Sequence, residues 1–182
     1  VISTIPDHLA GILQGHRLSL PIVAVGGPSI AREVAHRSPT CVVYASLDES
    51  AARETAEVMS TRRYRATPDT DVVGVEFCAA LKNVYAIGSG ICEGMGRAGS
   101  IPWDNTRAAL MTQAVQEMLV LCEAAGGRRE TALGLAGLGD LEVTCLGGRN
   151  GKYGALIGEG NSPESVLRRM QEEKLTVEGY PA

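Results

Sequence analysis

Apolar positions in the first third of the chain fall into three short runs. Residues 21–25 form an apolar run that ends at a Gly-Gly-Pro turn, and residues 41–45 form a second run rich in β-branched side chains. Residues 64–67 alternate weakly between polar and apolar positions. Short runs bounded by turn residues predict two buried strands followed by a short edge strand.

Helical patterns separate these strands. Residues 29–35 predict a short helix. Residues 49–59 predict a longer helix with Asp48 as its capping residue and acidic side chains in its first turn, where the helix dipole favours them. Strands that alternate with helices are typical of a mostly parallel sheet covered by helices, so this part of the chain predicts an α/β fold.

The pattern becomes helical beyond the third strand. Apolar residues recur at helical spacing up to Ile87, and the Gly-rich residues 92–99 then predict a loop. We therefore place a domain boundary near Asp71. It divides the chain into an α/β region, residues 1–71, and an all-α region, residues 72–182.

Two further helices have recognisable ends. A long amphipathic helix is expected to begin at Asn105 and to end at Gly126. Ser162 offers a capping hydroxyl and Pro163 suits the first helical position, so a last helix is expected to run from there to about Glu173.

Composition and charge exclude several classes of protein. The 182 residues carry 17 Lys and Arg against 21 Asp and Glu, a net charge of -4, and we expect no nucleic-acid partner because such proteins normally present a clustered basic face. No uninterrupted apolar run reaches the length of about 20 residues that a membrane span needs. The first residues do not have the pattern of a signal peptide, so we expect a cytoplasmic protein without a membrane span.

Cysteine and histidine usage predicts no metal site. The 5 cysteines are scattered and form no C-x-x-C pair, which is typical of small buried thiols in a reducing cytosol. The 3 histidines all lie early in the chain and have no metal-ligand grouping around them.

A lysine inside an apolar helical pattern is the first candidate for chemistry. Lys82 follows Ala79-Ala80-Leu81 and precedes Asn83. From the pattern alone, a surface lysine that lays its stem along the helix is the favoured interpretation. As a functional residue, a partly desolvated lysine could donate or accept a proton near neutral pH, and Asn83 could bind a substrate hydroxyl.

Two Gly-rich segments are further candidates. Asp140 is a lone carboxylate within the Gly- and Leu-rich residues 134–141. It is either a helix cap or an exposed turn residue, or it orients Lys82 or a substrate hydroxyl. Residues 145–152 contain Gly-Gly and Asn-Gly turn signals around Arg149. This segment is either a surface loop or an anion site, in which the guanidinium fork and Gly amides bind a phosphate.

These segments resemble the NAD(P)-dependent glycerol-3-phosphate dehydrogenase family. The resemblance covers nearly the whole chain, and the matching runs occur in the family's order. They are GPSIAREV at 27–34, GVEFCAALKNVYAIGSGI at 74–91, NTRAALMTQ at 105–113, GLAGLGDLEVTC at 134–145, GGRN at 147–150 and VEG at 177–179.

The resemblance implies both an activity and a fold. The activity is the interconversion of sn-glycerol 3-phosphate and dihydroxyacetone phosphate with NAD or NADP as cofactor. Residues 1–71 would be the C-terminal part of a Rossmann-type dinucleotide-binding domain. Residues 72–182 would be a helical substrate-binding and dimerisation domain, truncated at its C-terminus, and we expect a homodimer.

The resemblance also implies roles for individual residues. Lys82 matches the catalytic lysine, which accepts the proton when glycerol 3-phosphate is oxidised. Other positions match residues that contact the substrate or the cofactor. The substrate positions are Gly27, Ser29, Lys82, Asn83, Asp140, Thr144, Gly148, Arg149 and Asn150, and the cofactor positions are Ala31, Arg149, Thr176 and Glu178.

Several departures from the family are equally informative. Family members begin with a strand, a G-x-G-x-x-G turn and a helix that together hold the pyrophosphate, and these 182 residues contain no such segment. A second substrate lysine upstream of the Gly-Pro-Ser turn has no counterpart, and Gln113-Ala114 replaces a common arginine–glycine pair. We therefore expect a fragment without its first nucleotide-binding unit, inactive by itself.

Two alternatives remain open at this point. A related two-domain dehydrogenase could act on another phosphorylated or acidic ketone. A non-catalytic domain could bind a phosphate or serve only for oligomerisation. The choice between NAD and NADP also remains open, because it is usually set near the second strand of a nucleotide domain, which this sequence does not contain.

Overall fold

The computed structural model describes residues 3–181, and within them one sheet has the strand order β1-β2-β3. The strands are β1 (Ala24–Gly26), β2 (Thr40–Ala45) and β3 (Tyr64–Asp69). Strands β2 and β3 are parallel, whereas β1 is antiparallel to β2. All three predicted strands are therefore present, but the sheet is mixed rather than mostly parallel.

The lengths of the connecting helices explain the mixed sheet. Helix α2 (Ala31–Ala35) has 5 residues and advances the chain by only about 7–8 Å, too little to return along a strand. Helix α3 (Glu49–Met59) has 11 residues and completes a parallel crossover from β2 to β3. As predicted, Asp48 caps α3, since its carboxylate accepts bonds from the amides of Ser50 at 3.0 Å and Ala51 at 3.2 Å.

Alternating residues of the sheet pack against different helices. On one face, Val42 and Tyr44 of β2 pack with Ala56 of α3. On the other face, Val43 and Ala45 pack against the beginning of the next helix. Both faces of β2 are buried, which explains why its sequence is a continuous apolar run.

The remainder of the described chain is helical. After α1 (Ile5–Gly15), which precedes the sheet, the later helices are α4 (Val72–Gly99), α5 (Asp104–Ala124), α6 (Arg129–Leu133), a π-helical turn at Leu135–Gly139, α7 (Asp140–Cys145), α8 (Gly148–Gly158) and α9 (Pro163–Glu172). The order of an α/β part followed by a helical part is confirmed. Helix α9 begins as predicted, with the Ser162 hydroxyl accepting a bond from the Ser165 amide at 3.3 Å.

The loop predicted over residues 92–99 is wrong, because α4 continues through this segment. Glycines in α4 provide room for the backbone of α8. A methyl group at Gly90 would clash with the carbonyl oxygen of Gly151, and one at Gly94 would clash with that of Ala155. Glycine costs about 0.5–1 kcal/mol relative to alanine inside a helix, and the close approach of the two helices explains why it is present.

The chain divides into two compact units. The first comprises the chain up to Ala79 together with Met118–Asp140, and the second comprises Ala80–Glu117 together with the chain from Leu141 on. The domain boundary near Asp71 stays a prediction, and it lies one residue before α4.

Helix α4 is long and apolar enough, by length and composition alone, to cross a membrane. Such a helix is weak support for a membrane span because core helices of soluble proteins share these properties. Val75, Cys78 and Ala86 of α4 are fully buried within the protein, and glycines of the same helix face α8. The absence of a membrane span stays a prediction.

Candidate functional site

The start of helix α8 carries three of the predicted site residues. Gly148, Arg149 and Asn150 form its first turn, so the segment is a helix N-terminus and not a surface loop. Gly148 has a φ of +92°, a left-handed conformation that glycine adopts without strain. Gly147 precedes the helix and provides no side-chain cap. The first amides of α8 therefore keep their capacity to bind an anion, which the helix dipole also favours.

Asn150 joins three parts of the second unit. Its side-chain amide donates to Oδ1 of Asn83 on α4 at 2.9 Å and to Oε2 of Glu178 at 3.4 Å. Its Oδ1 accepts the backbone N–H of Gly179 at 3.0 Å. Asn150 is 5% exposed, so these bonds are largely shielded from water and fix the segment after α9 against α4 and α8.

The backbone of the 177–179 segment also lies directly against α4. A side chain at Gly179 would place its Cβ 2.5 Å from the carbonyl oxygen of Asn83. Only glycine fits there. Gly179 was not among the predicted site residues, although it lies in the matching VEG run.

Arg149 and Glu178 form an ion pair. Both side chains keep solvent contact, with 51% and 37% of their surface exposed. An incoming anion can therefore reach the guanidinium, and Glu178 holds the arginine beside the first turn of α8. The predicted substrate and cofactor positions Asn83, Arg149, Asn150 and Glu178 are thus joined by direct bonds.

Three further predicted residues of the second unit lie on helices or after one. Lys82 is half-buried on α4, directly before Asn83. Thr144 is half-buried near the end of α7, and Thr176 is exposed after α9. Their roles stay predictions.

Glycine contacts fix α4 relative to α8. A methyl group at Gly154 of α8 would clash with the carbonyl oxygen of Ile87, and one at Gly158 would clash with that of Ile91. The two helices therefore pack backbone to backbone over two turns. This packing holds the α4 turn that carries Asn83 at hydrogen-bond distance from Asn150.

Three predicted residues surround a turn in the first unit. Gly27 is buried with a φ of +125°, and an added Cβ would lie 3.1 Å from Cα of Val42, so the turn after β1 requires glycine. Ser29 follows in this turn and Ala31 begins α2, and both are exposed. Exposed positions at a turn that follows a strand can contact a small ligand.

Asp140 begins α7 and is 5% exposed. Burial raises the pKa of the Cys78 thiol, and the neighbouring groups Cys122, Asp71 and Asp140 raise it further. Cys78 therefore remains a neutral thiol beside these carboxylates. Asp140 belongs to the first unit, and its role stays a prediction.

A second buried carboxylate of the first unit was not singled out by the sequence. Asp71 accepts bonds from the amide of Gly74 at 2.9 Å, the amide of Arg128 at 2.8 Å and the hydroxyl of Thr131 at 2.5 Å. These bonds connect the start of α4 to the start of α6. No local pattern distinguishes Asp71, because its partners lie up to 60 positions away in the sequence.

The arrangement in the second unit is suited to binding a small phosphorylated compound. It combines a solvent-accessible guanidinium, an uncapped helix N-terminus and side-chain amides held in place by buried bonds. Arginine binds phosphate oxygens through parallel hydrogen bonds, and helix amides add to this. No group of three or more potential metal-ligating side chains occurs among residues 3–181.

The chain matches a known protein family. Residues 71–182 match the model for the NAD-dependent glycerol-3-phosphate dehydrogenase C-terminus. The chain is 42% identical over 166 residues to the NADP(+)-dependent glycerol-3-phosphate dehydrogenase of Archaeoglobus fulgidus, covering 91% of the chain and 50% of that relative. It is also 42% identical over 177 residues to the glycerol-3-phosphate dehydrogenase [NAD(P)+] of Clostridium tetani, covering 96% of the chain and 48% of that relative. The chain thus spans about half the length of the curated relatives it matches.

Solved structures agree with these similarities. The crystal structure of glycerol-3-phosphate dehydrogenase from Coxiella burnetii superposes with a TM-score of 0.79 at 35% identity, covering 94% of this chain and 51% of that one. The glycerol-3-phosphate dehydrogenase of Plasmodium falciparum gives a TM-score of 0.81 at 20% identity, covering 97% and 48%, which shows the shared fold.

Proposed function

Because the chain belongs to the NAD-dependent glycerol-3-phosphate dehydrogenase family, we propose that it carries the substrate-binding part of an enzyme that interconverts sn-glycerol 3-phosphate and dihydroxyacetone phosphate. The observation that carries this proposal is the bonded group of Asn83, Arg149, Asn150 and Glu178 at the start of α8. It joins residues of three separate matching runs in one place.

The substrate phosphate binds at the start of α8. Arg149 supplies the guanidinium fork, and the amides of the first turn supply further donors. The phosphate takes no part in the redox step, so its binding energy serves to orient the small ketone. Asn83 and Thr144 contact the polar groups near the reacting carbon.

Lys82 transfers the proton. In the reducing direction the carbonyl carbon gains a hydride while the carbonyl oxygen gains a proton, and the Lys82 ammonium stabilises the developing oxyanion before it donates that proton. In the oxidising direction Lys82 accepts the proton from the substrate hydroxyl. A positioned acid or base of this kind contributes about 10²–10⁴-fold to the rate. Asp140 is assigned to substrate binding, as the family resemblance implies.

NAD or NADP supplies or accepts the hydride when bound. The residues assigned to it fit such a ligand. Glu178 has 37% of its side chain exposed, and Thr176 is also exposed, so a carboxylate and a hydroxyl can bind ribose hydroxyls or an amide. Ala31 has a small side chain at the start of α2, which permits close approach of a ring.

The chain alone is expected to lack activity, because it contains no strand followed by G-x-G-x-x-G and a helix to hold the pyrophosphate. We place the complete enzyme in the cytoplasm as a homodimer. The names of the curated relatives, which include both NADP(+) and NAD(P)+ enzymes, support a nicotinamide cofactor of either kind.

A measurement of enzymatic turnover tests the proposed function. The chain and a version extended upstream by a nucleotide-binding unit are assayed for NAD(P)H oxidation with dihydroxyacetone phosphate and with several other ketones and ketone phosphates. We expect turnover only by the extended protein, with preference for dihydroxyacetone phosphate, and a loss of about 10²-fold or more in Lys82→Ala.

Lys152→Ala is the matched control, because Lys152 pairs with Glu173 on the outside of α8. It should retain full activity. If the extended protein preferred another ketone, the assignment of dihydroxyacetone phosphate as substrate would be wrong, whereas the assignment of the fold would be unaffected. Turnover by the chain alone would contradict the proposed need for an upstream unit.

A further inference from the structure

A cleft of about 970 Å³ opens in the first unit between α2 and the segment that joins α3 to β3. We call it the arginine cleft, because Arg37, Arg62 and Arg63 line it. Its volume lies at the upper end of the range of about 300–1,000 Å³ that is usual for small-molecule sites. The residues at the start of α8 belong to the second unit and do not line it.

The charge of the arginine cleft is opposite to that of the chain. The chain carries a net charge of -4, yet no carboxylate is among the residues that line the cleft. Within the described residues 3–181, no ion pair engages Arg37 or Arg62. Three guanidinium groups without a carboxylate between them create a positive potential that favours an anion.

The backbone supports this placement of the arginines. Arg37 follows the end of α2 by two residues and has a φ of +61°, a conformation that glycine or asparagine usually adopts because other residues are strained there. Arg63 donates through Nη1 to the carbonyl oxygen of Arg37 at 3.4 Å. This bond connects the two sides of the cleft and holds the Arg63 side chain beside the backbone of Arg37.

Large apolar and aromatic side chains also line the arginine cleft, beside the small polar side chains of Ser29, Ser38 and Thr61. Val34, Met59 and Tyr64 line it, and Met59 is 49% exposed although it is large and apolar. Burial and the bond to Tyr44 raise the pKa of Tyr64 to about 12, so its ring stays neutral at physiological pH. A ligand that covers these groups removes apolar surface from water, which favours binding.

We propose that the arginine cleft binds a phosphate monoester with an apolar body of about the size of a fused ring system. The phosphate pairs with Arg37 and Arg62, and the apolar body covers Met59 and Tyr64. This site is separate from the phosphate-binding residues at the start of α8, and its occupation does not depend on the dehydrogenase activity proposed above.

The position of the cleft also indicates a consequence for the proposed enzyme. Ser29 and Ala31, which we assign to the substrate and the cofactor, line the arginine cleft as well. If those assignments are correct, a ligand in the cleft reaches these two positions and inhibits the enzyme. This consequence rests on the proposed function, whereas binding itself does not.

Calorimetric titration of the chain with 1-naphthyl phosphate tests the proposal, with 1-naphthol and inorganic phosphate as the two partial ligands. We expect 1-naphthyl phosphate to bind at least about fivefold more tightly than either, and to bind more weakly as salt is added. Equal affinity for 1-naphthol would show that the arginines take no part and would overturn the proposal.

Three substitutions locate the site. Arg37→Asn keeps a residue that tolerates positive φ, and Arg62→Gln keeps a polar side chain, so neither is expected to disturb the fold. Each should weaken 1-naphthyl phosphate binding about fivefold. Arg53→Gln is the matched control, since Arg53 on α3 pairs with Glu49 outside the cleft and the substitution removes the same charge. An equal loss in this control, or unchanged affinity in the other two, would contradict the proposal.

A fourth variant separates the cleft from the proposed substrate site. Arg149→Gln removes the guanidinium at the start of α8 and leaves the arginine cleft intact. We expect unchanged affinity for 1-naphthyl phosphate. Loss of binding in this variant would place the ligand at α8 and overturn the second site, while leaving the proposed function untouched.

Discussion

Replacement of Asn150 by alanine should destabilise the chain because it removes the residue that joins three segments of the second unit. The variant leaves the buried N–H of Gly179 without its acceptor at 3.0 Å, which costs about 1–3 kcal/mol. It also removes the 2.9 Å bond to Asn83, which contributes about 0.5–1.5 kcal/mol. The 3.4 Å bond to Glu178 is long and partly exposed, so we add nothing for it.

The expected loss is therefore about 1.5–4.5 kcal/mol in the free energy of unfolding, a large part of the roughly 5–15 kcal/mol that a typical domain possesses. Urea unfolding followed by circular dichroism measures it. Asn161→Ala is the matched control, since the exposed side chain of Asn161 donates to the carbonyl oxygen of Leu156 at 2.7 Å. That variant should lose no more than about 1 kcal/mol. Equal losses in the two variants would refute the argument that buried bonds of Asn150 hold the segments together.

Three further predictions concern packing, pH and thiol reactivity. Gly154→Ala should cost several kcal/mol in urea unfolding because its methyl group clashes with the carbonyl oxygen of Ile87, whereas Gly151→Ala in the same helix has open space and should stabilise by up to about 1 kcal/mol. Burial raises the pKa of the Glu76 carboxyl, so its ionisation destabilises the fold as pH rises through that pKa. Glu76→Gln should therefore be more stable than the unsubstituted chain at pH 7. It should lose this advantage below about pH 4, where the carboxyl is protonated in both the folded and the unfolded state. Equal pH dependence of the two proteins would contradict that argument. With Ellman's reagent, Cys41 should react first because it is exposed, and the buried thiols should react only on unfolding.

Elements with strong local signals were predicted correctly from the sequence. Strand β2 is buried on both faces, which its continuous apolar run indicates. Helices α3 and α9 have capping side chains at Asp48 and Ser162, as expected. In each case the information lies within a few neighbouring residues.

Elements that depend on contacts with residues far away in the sequence were not predicted. The Gly-rich residues 92–99 were interpreted as a loop, because the close contact that Gly94 makes is with Ala155 of α8, some 60 positions later. The segment around Arg149 was interpreted as either a surface loop or an anion site, because its local sequence does not show that a helix begins at Gly148. Local glycine content does not distinguish a turn from a close helix contact.

The candidate site was predicted mainly through resemblance. Asn83, Arg149, Asn150 and Glu178 were each named from separate runs, and direct bonds connect them in the second unit. Gly179 was missed because its contribution is a backbone N–H, which no residue pattern reveals. The roles of all these residues stay predictions until they are measured.

The most direct test of the account is the effect of Arg149→Ala on two ketones, in the version of the protein extended upstream by a nucleotide-binding unit. Steady-state kinetics with dihydroxyacetone phosphate and with dihydroxyacetone separate phosphate binding from the chemical step. At saturating NAD(P)H, where the cofactor contact also assigned to Arg149 does not limit the rate, we predict that kcat/KM falls about 10²-fold or more for dihydroxyacetone phosphate. For dihydroxyacetone it should stay within about twofold, because only the first substrate has a phosphate for Arg149 to bind. An equal fall for both ketones, or no fall for the phosphate ester, would contradict the account.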